Sequence, residues 1–293
     1  MSDTLLACIF SPCGGYLVCG TQHGLMHVWK IASGDASLAP MHVTSFPAHR
    51  HALYALLFVP HASGHLLLSA AEEDIRGWAW SALLDQGSAP KPLLVLQSPR
   101  QPQRRGALGQ LTDTAALAFD PLAGRLYSAA GDGNAYAWDV EAGTATASFV
   151  GAGEPLYCLA LRPPHGQLLT GGEDGTVRLW DVRSSKCTQE LRPDLAPLAP
   201  AESAKPAGGG KAARAGDGCG WCSCLAVDEA SNWLVGGWSD GFLCSIELNT
   251  LACVACMPTA AAPQAVCFEH GSDFRFLSVG AEPALYSWNL TGA

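Results

Sequence analysis

The sequence predicts an all-β fold, a WD40-type β-propeller with six recognisable blades, and three observations predict it. An acidic residue in a tight turn precedes a Trp by six positions at Asp132/Trp138, Asp174/Trp180 and Glu282/Trp288. His23/Trp29 and Asp240/Ile246 keep that spacing with one partner replaced, and in the second copy either Asp74/Trp80 or Glu72/Trp78 fits it. The period is 42 residues from Trp138 to Trp180 and again from Ile246 to Trp288, the length of a four-stranded propeller blade. Lastly, Gly131-Asp-Gly133 and Glu173-Asp-Gly175 are turn sequences that accept positive φ between two short apolar runs.

The elements follow in order. Each copy reads as an apolar strand, a polar break, a second strand ending in small residues, a tight turn and a third strand. Copy one runs from Ala7 to Trp29, and copy two from Leu53 through Leu66-Leu-Leu-Ser-Ala to Trp80. Copy three spans Ala115 to Asp139, copy four Leu156 to Asp181, copy five Trp221 to Leu248 and copy six Ala265 to Leu290. One domain over residues 5–290 results. Stretches 33–45 and 85–112, rich in Pro, Gly and Gln, read as insertions, and the Ala/Pro/Gly tract 193–218 reads as a disordered insertion within the domain. No fourth strand is visible for copy six, so the pattern reads as a propeller short of a terminal blade.

Composition narrows the function classes. The chain of 293 residues is 48% hydrophobic and only 15% charged, which suits a packed core and not a disordered tail. A formal net charge of −9 argues against a broad phosphate-binding face, while leaving room for a local basic patch. The sequence has no uninterrupted apolar run of membrane-spanning length, and its first residues lead into a strand pattern without the look of a signal peptide. Of the 12 cysteines, Cys8, Cys158, Cys224, Cys244 and Cys267 fall in apolar strand-like runs and are expected to be small buried hydrophobes. Reduced thiols in a cytosolic or nuclear protein follow.

In a complete WD unit the turn acid, a Ser or Thr four residues earlier, the Trp and a preceding His form one hydrogen-bonded set. Thr170/Asp174/Trp180 and Ser128/Asp132/Trp138 are read as this structural signature, as is Ser278/Glu282, and His49 is the one candidate His. No Ser/His/Asp or Cys/His arrangement carries a local catalytic signature, so no enzyme activity and no cofactor are expected. Cys219-Gly-Trp-Cys222 and Cys253-Val-Ala-Cys256 have C-x-x-C spacing. The second pair falls on a strand, where positions three apart face opposite sides, so packed thiols are expected and no metal. Gly208-Gly-Gly-Lys211 lacks the remainder of a phosphate loop, and His49, His51, His61 and His65 flank a strand without having to converge. Arg104 and Arg105, with Arg100, form the one basic knot and a candidate peptide or RNA contact. Trp238, assigned to a hairpin turn, is a candidate interface aromatic.

Beyond the WD pattern, several runs occur in the order found in THO complex subunit 6 proteins. They are Ser11-Pro-Cys-Gly-Gly-Tyr-Leu17, Phe46-Pro-Ala-His-Arg50, Gly77-Trp-Ala-Trp-Ser-Ala-Leu-Leu84, Leu156 to Arg183, and Trp221 with Asn232-Trp-Leu-Val-Gly-Gly237. Over about residues 7–250 the chain resembles that family. The resemblance implies a seven-bladed, non-catalytic nuclear subunit that works with other THO-complex subunits in mRNA processing and export, with direct RNA contact left open. Trp180-Asp181-Val-Arg183 also resembles the box of WD proteins that serve as cullin-4 substrate receptors. That likeness implies a rim contact from Asp181 and Arg183 to a cullin-4 adaptor.

Overall fold

A computed structural model describes residues 3–31, 39–62, 64–72, 74–85, 90–99, 112–193, 220–271 and 274–292. Two compact units make up the chain, Met1–Leu156 and Tyr157–Ala293, and both are built from antiparallel meander sheets of the propeller-blade type. In the first unit, sheet one is β1 (Leu5–Phe10), β2 (Tyr16–Thr21), β3 (Leu25–Lys30) and β4 (Met41–Pro47). Sheet two is β5 (Ala55–His61), β6 (Gly64–Ala70), β7 (Asp74–Ala79) and β8 (Leu94–Gln97), with a short helix α1 (Trp80–Leu84) after β7. Sheet three is β9 (Thr114–Asp120), β10 (Arg125–Ala130), β11 (Ala135–Asp139) and β12 (Thr144–Phe149).

The second unit repeats the plan. Sheet four is β13 (Leu156–Arg162), β14 (Gln167–Gly172), β15 (Val177–Asp181) and β16 (Lys186–Leu191). Sheet five is β17 (Cys222–Val227), β18 (Trp233–Trp238), β19 (Phe242–Glu247) and β20 (Ala252–Pro258). Sheet six has three strands among the described residues, β21 (Pro263–Phe268), β22 (Arg275–Gly280) and β23 (Leu285–Asn289).

The second strands explain the unbroken apolar runs. Leu66-Leu-Leu-Ser-Ala70 and Leu168-Leu-Thr-Gly-Gly172 are buried along their whole length; on β6, side chains of both faces meet neighbouring sheets. Leu67 and Trp78 pack with Val18, Met26 and Val28 of sheet one, while Leu66 and Leu68 pack with Leu126 and Trp138 of sheet three. In the second unit, Leu169, Val177 and Leu179 meet Cys222, Trp238 and Ile246. Val235 and Leu243 then meet Phe276 and Leu290 of sheet six. The fourth strands are the wet ones; β16 is exposed at five of its six residues.

Two features depart from the sequence reading. Stretches 33–45 and 85–112 are not insertions throughout, since β4 begins in the first, β8 lies in the second, and both complete their sheets. Four sheets also share a β-bulge, where the third-to-fourth strand register shifts at Val28/Trp29, Ala137/Trp138, Leu179/Trp180 and Ser245/Ile246. An extra residue there reverses which outer-strand side chains share a face. The tract 193–218 lies outside the described residues apart from Pro193, as do Gly208-Gly-Gly-Lys211, Arg100, Arg104 and Arg105.

Candidate interaction surface

Sheet two holds a complete four-residue set. His49 Nδ1 lies 2.9 Å from Asp74 Oδ1, His49 Nε2 lies 2.7 Å from Ser69 Oγ, and Trp78 Nε1–H donates to Ser69 Oγ at 2.9 Å. The network assigns the tautomer: Nδ1–H donates to the carboxylate, and Nε2 accepts the Ser69 hydroxyl proton. Burial raises the Asp74 carboxyl, but hydrogen bonds from His49 and Arg76 outweigh it and hold the group below its ordinary value. Thus His49 plays the expected role, whereas the Trp is Trp78, four residues after Asp74. Of the two tryptophans the spacing allowed, Trp78 is the one in the set, and Trp80 opens α1.

Ser69, His49 and Asp74 have the connectivity of a nucleophile, base and orienting acid. Ser69 is fully buried, however, and its oxygen already accepts the Trp78 indole N–H. A substrate carbonyl has no approach to that oxygen, so the set serves to hold the blade.

Above it lies a recess of about 260 Å³ lined by His49, Arg50, His51, Asp74, Arg76 and Gln97. The Arg76 guanidinium spans Asp74 and the Ala48 carbonyl, at 2.9 Å from Oδ2 and 2.8 Å from the oxygen. His51 sits 3.1 Å from Glu72. Of the four histidines noted in sequence, His49 and His51 line this recess. His61 and His65 lie at the far end of the β5–β6 hairpin, where His65 faces Pro60. The recess suits a polar group, with Arg50 exposed at its edge.

Sheets three, four and six keep half of the set. Trp138 donates to Ser128 at 2.9 Å, Trp180 to Thr170 at 2.9 Å and Trp288 to Ser278 at 2.7 Å. The turn acids pair instead with the residue four positions on. Tyr136 donates to Asp132, Arg178 to Asp174 at 2.6 Å and Tyr286 to Glu282 at 2.6 Å. Burial raises Asp174, and the Arg178 hydrogen bond with the Thr176 N–H outweighs it, so its pKa is lowered. Buried Arg178 also donates to Glu190 at 3.0 Å. Its role escaped the sequence reading, although a Tyr or Arg four residues after Asp132, Asp174 and Glu282 was a visible signal.

At the end of β15, Asp181 is half-buried and accepts the Ser184 N–H at 2.7 Å, fixing the turn. The hydrogen bonds from the Ser184 backbone and side chain lower its carboxyl pKa. Arg183 is exposed in that turn. Trp238 corrects an expectation. It is fully buried, stacks on Phe242 with centroids 5.4 Å apart, and donates to the Gly175 carbonyl at 2.9 Å. It is the last residue of β18, its indole turned onto sheet four, and no surface aromatic. Trp221 is the half-exposed one in that sheet, at 50%. Arg162, also unforeseen, is buried and ties sheet four to sheet five through the Ser231 carbonyl at 2.6 Å and Asn249 at 2.6 Å.

Three groups of cysteines bear on the sequence reading. Cys158 and Cys222 are buried thiols 3.7 Å apart, and burial pushes neighbouring Cys224 up to about 12. Cys8 and Cys267, expected inside, are exposed, because β1 and β21 turn those residues away from the packed face. Cys253 and Cys256 were expected on opposite sides of a strand. The bulge opposite Ser245/Ile246 places them on one side, with sulfurs 3.4 Å apart.

Repeated antiparallel sheets of the blade type, four of which hold a third-strand Trp on a second-strand hydroxyl, define a WD-repeat protein of the β-propeller class. The WD domain, G-beta repeat family matches residues 143–181. THO complex subunit 6 of Homo sapiens is 30% identical over 293 residues, covering 99% of this chain and 77% of that protein. THO complex subunit 6 of Arabidopsis thaliana is 32% identical over 254 residues, covering 84% of this chain and 63% of that protein, so the chain spans less than two thirds of this relative. The crystal structure of the computationally designed Ika8 protein superposes with a TM-score of 0.64 at 18% identity, over 99% of this chain and 72% of that one, which bears on the fold alone. The chain belongs to the THO complex subunit 6 family.

Proposed function

We propose that this protein is a non-catalytic scaffold subunit of a THO complex, acting in the nucleus in mRNA processing and export. The observation that carries this reading is the similarity to the human THO complex subunit 6 along 99% of the chain. The buried Ser69–His49–Asp74 set favours a scaffold, since its chemistry is spent inside the blade. Among the described residues no helix is long and apolar enough to cross a membrane.

The family's further blade is seated, in this reading, against the outer face of sheet six. Leu285 there is 66% exposed, whereas the matching Val177 and Leu243 of sheets four and five are fully buried by the next sheet. Affinity purification of the tagged chain from nuclear extract tests the main reading. Recovery of the other THO subunits is expected, and their absence from a folded, nuclear bait would refute it.

A second reading, substrate receptor of a cullin-4 ligase, is favoured by exposed Arg183 in the turn that Asp181 holds. It predicts adaptor capture that Arg183→Ala abolishes while THO-subunit recovery persists. Arg104 and Arg105 remain the candidate RNA contact, read out as salt-sensitive binding lost on Arg→Ala.

A further inference from the structure

Sheet five departs from its neighbours at one position. Four residues after the turn acid, sheets three, four and six place Tyr136, Arg178 and Tyr286, each bonded to its acid. Sheet five places Cys244 there, and Asp240 turns to the Gly220 N–H instead. Across the ladder, where sheet four pairs Arg178 with Glu190, sheet five pairs Cys244 with Cys256. The bulge then adds Cys253 on the same side. The Cys244 and Cys256 sulfurs are 2.7 Å apart and those of Cys253 and Cys256 3.4 Å, with all three inside 4.8 Å of one another.

We propose that Cys244, Cys253 and Cys256 form a three-thiolate site for a soft d10 metal ion, Zn(II) or Cu(I). A ligand set of thiolates alone selects such ions over Mg(II) or Ca(II). With metal–sulfur distances of about 2.3 Å, the ligand sulfurs sit roughly 3.8 Å apart. The 3.4 Å pair already approaches that spacing, and the 2.7 Å pair opens by a rotation of Cys256 on the outer strand. Convergence of three thiols favours an ion over a disulfide, which would use two and leave the third idle. The ion displaces the protons of the thiols into solvent as it binds. Cys244 is buried and Cys253 exposed, so the ion enters from the Cys253 side and a water or partner ligand can complete a fourth position.

The test uses the full chain, reduced with a phosphine and kept anaerobic. Co(II), followed by its thiolate charge-transfer band and by displacement with Zn(II), probes the zinc arm. Competition with a chromophoric Cu(I) chelator probes the copper arm. One equivalent of either ion is expected to bind. Cys253→Ser, at an exposed position that spares the fold, is expected to weaken binding by at least about 10- to 100-fold. Cys267→Ser, on exposed β21, is expected to leave binding unchanged. The proposal is overturned if neither ion binds stoichiometrically, or if Cys253→Ser binds like the parent. It is equally overturned if mass spectrometry finds a Cys244–Cys256 disulfide in air-purified protein whose reduced form takes up no metal.

Discussion

Replacing Ser69 by Ala should destabilise the protein more than the same change at Ser128, and the structure says by how much. Both hydroxyls are buried and both accept a tryptophan indole N–H at 2.9 Å. Ser69 alone also serves a histidine, donating its proton to His49 Nε2 at 2.7 Å. Ser128→Ala therefore orphans one buried group, the Trp138 N–H, at about 1–3 kcal/mol. Ser69→Ala orphans two, the Trp78 N–H and the His49 lone pair, so its cost should exceed that of Ser128→Ala by about 1–3 kcal/mol. Both residues lie in the unit Met1–Leu156, so one urea titration followed by tryptophan fluorescence compares them under the same transition. The cycle with His49→Ala should show coupling with Ser69→Ala, because once the imidazole is gone the hydroxyl loses its second duty. Equal losses at Ser69 and Ser128, or no coupling to His49, would refute the network and its tautomer.

Two further outcomes are expected. Trp238→Ala should cost about 3–5 kcal/mol, read by denaturant unfolding, since it empties a buried site and orphans the Gly175 carbonyl; a surface hot spot would leave stability unchanged. Asp174 has a folded pKa below the ordinary 3.8, so its stabilisation is present above that value and fades as pH falls through the lower folded one. Asp174→Asn should accordingly cost about 1–3 kcal/mol at pH 7, and the gap from the parent should close in acid unfolding curves below the ordinary carboxylate range.

How much of this was legible in the chain depends on where the information resides. Asp174 with Trp180, or Asp132 with Trp138, lie within one hairpin, and local spacing reveals both the turn and the ladder that follows. The second copy left Trp78 and Trp80 open because its hairpin is tighter, and only the pairing of Ser69 with Arg76 across β6 and β7 shows that Trp78 is the inward residue. Trp238 and Arg162 are settled by partners far along the chain, at Gly175 and Asn249, which no local pattern displays. Cys253 and Cys256 failed for a subtler reason. Period-two reasoning is sound on a regular strand, and the bulge that overturns it arises between strands. Arg183 is exposed in its turn, and no local pattern says which partner would read it.

The bond from the Trp238 indole to the Gly175 carbonyl has a consequence in time. The donor follows its acceptor by 63 residues. At about 5–20 residues per second of synthesis, sheet four waits roughly 3–13 s after its turn is made before the tryptophan is available. Arg162 waits longer still for Asn249, 87 residues downstream. Each finished blade is thus left open on its leading side until the next one arrives, and a nascent chain stalled between the two displays Val177 and Leu179 to the chaperones around the ribosome.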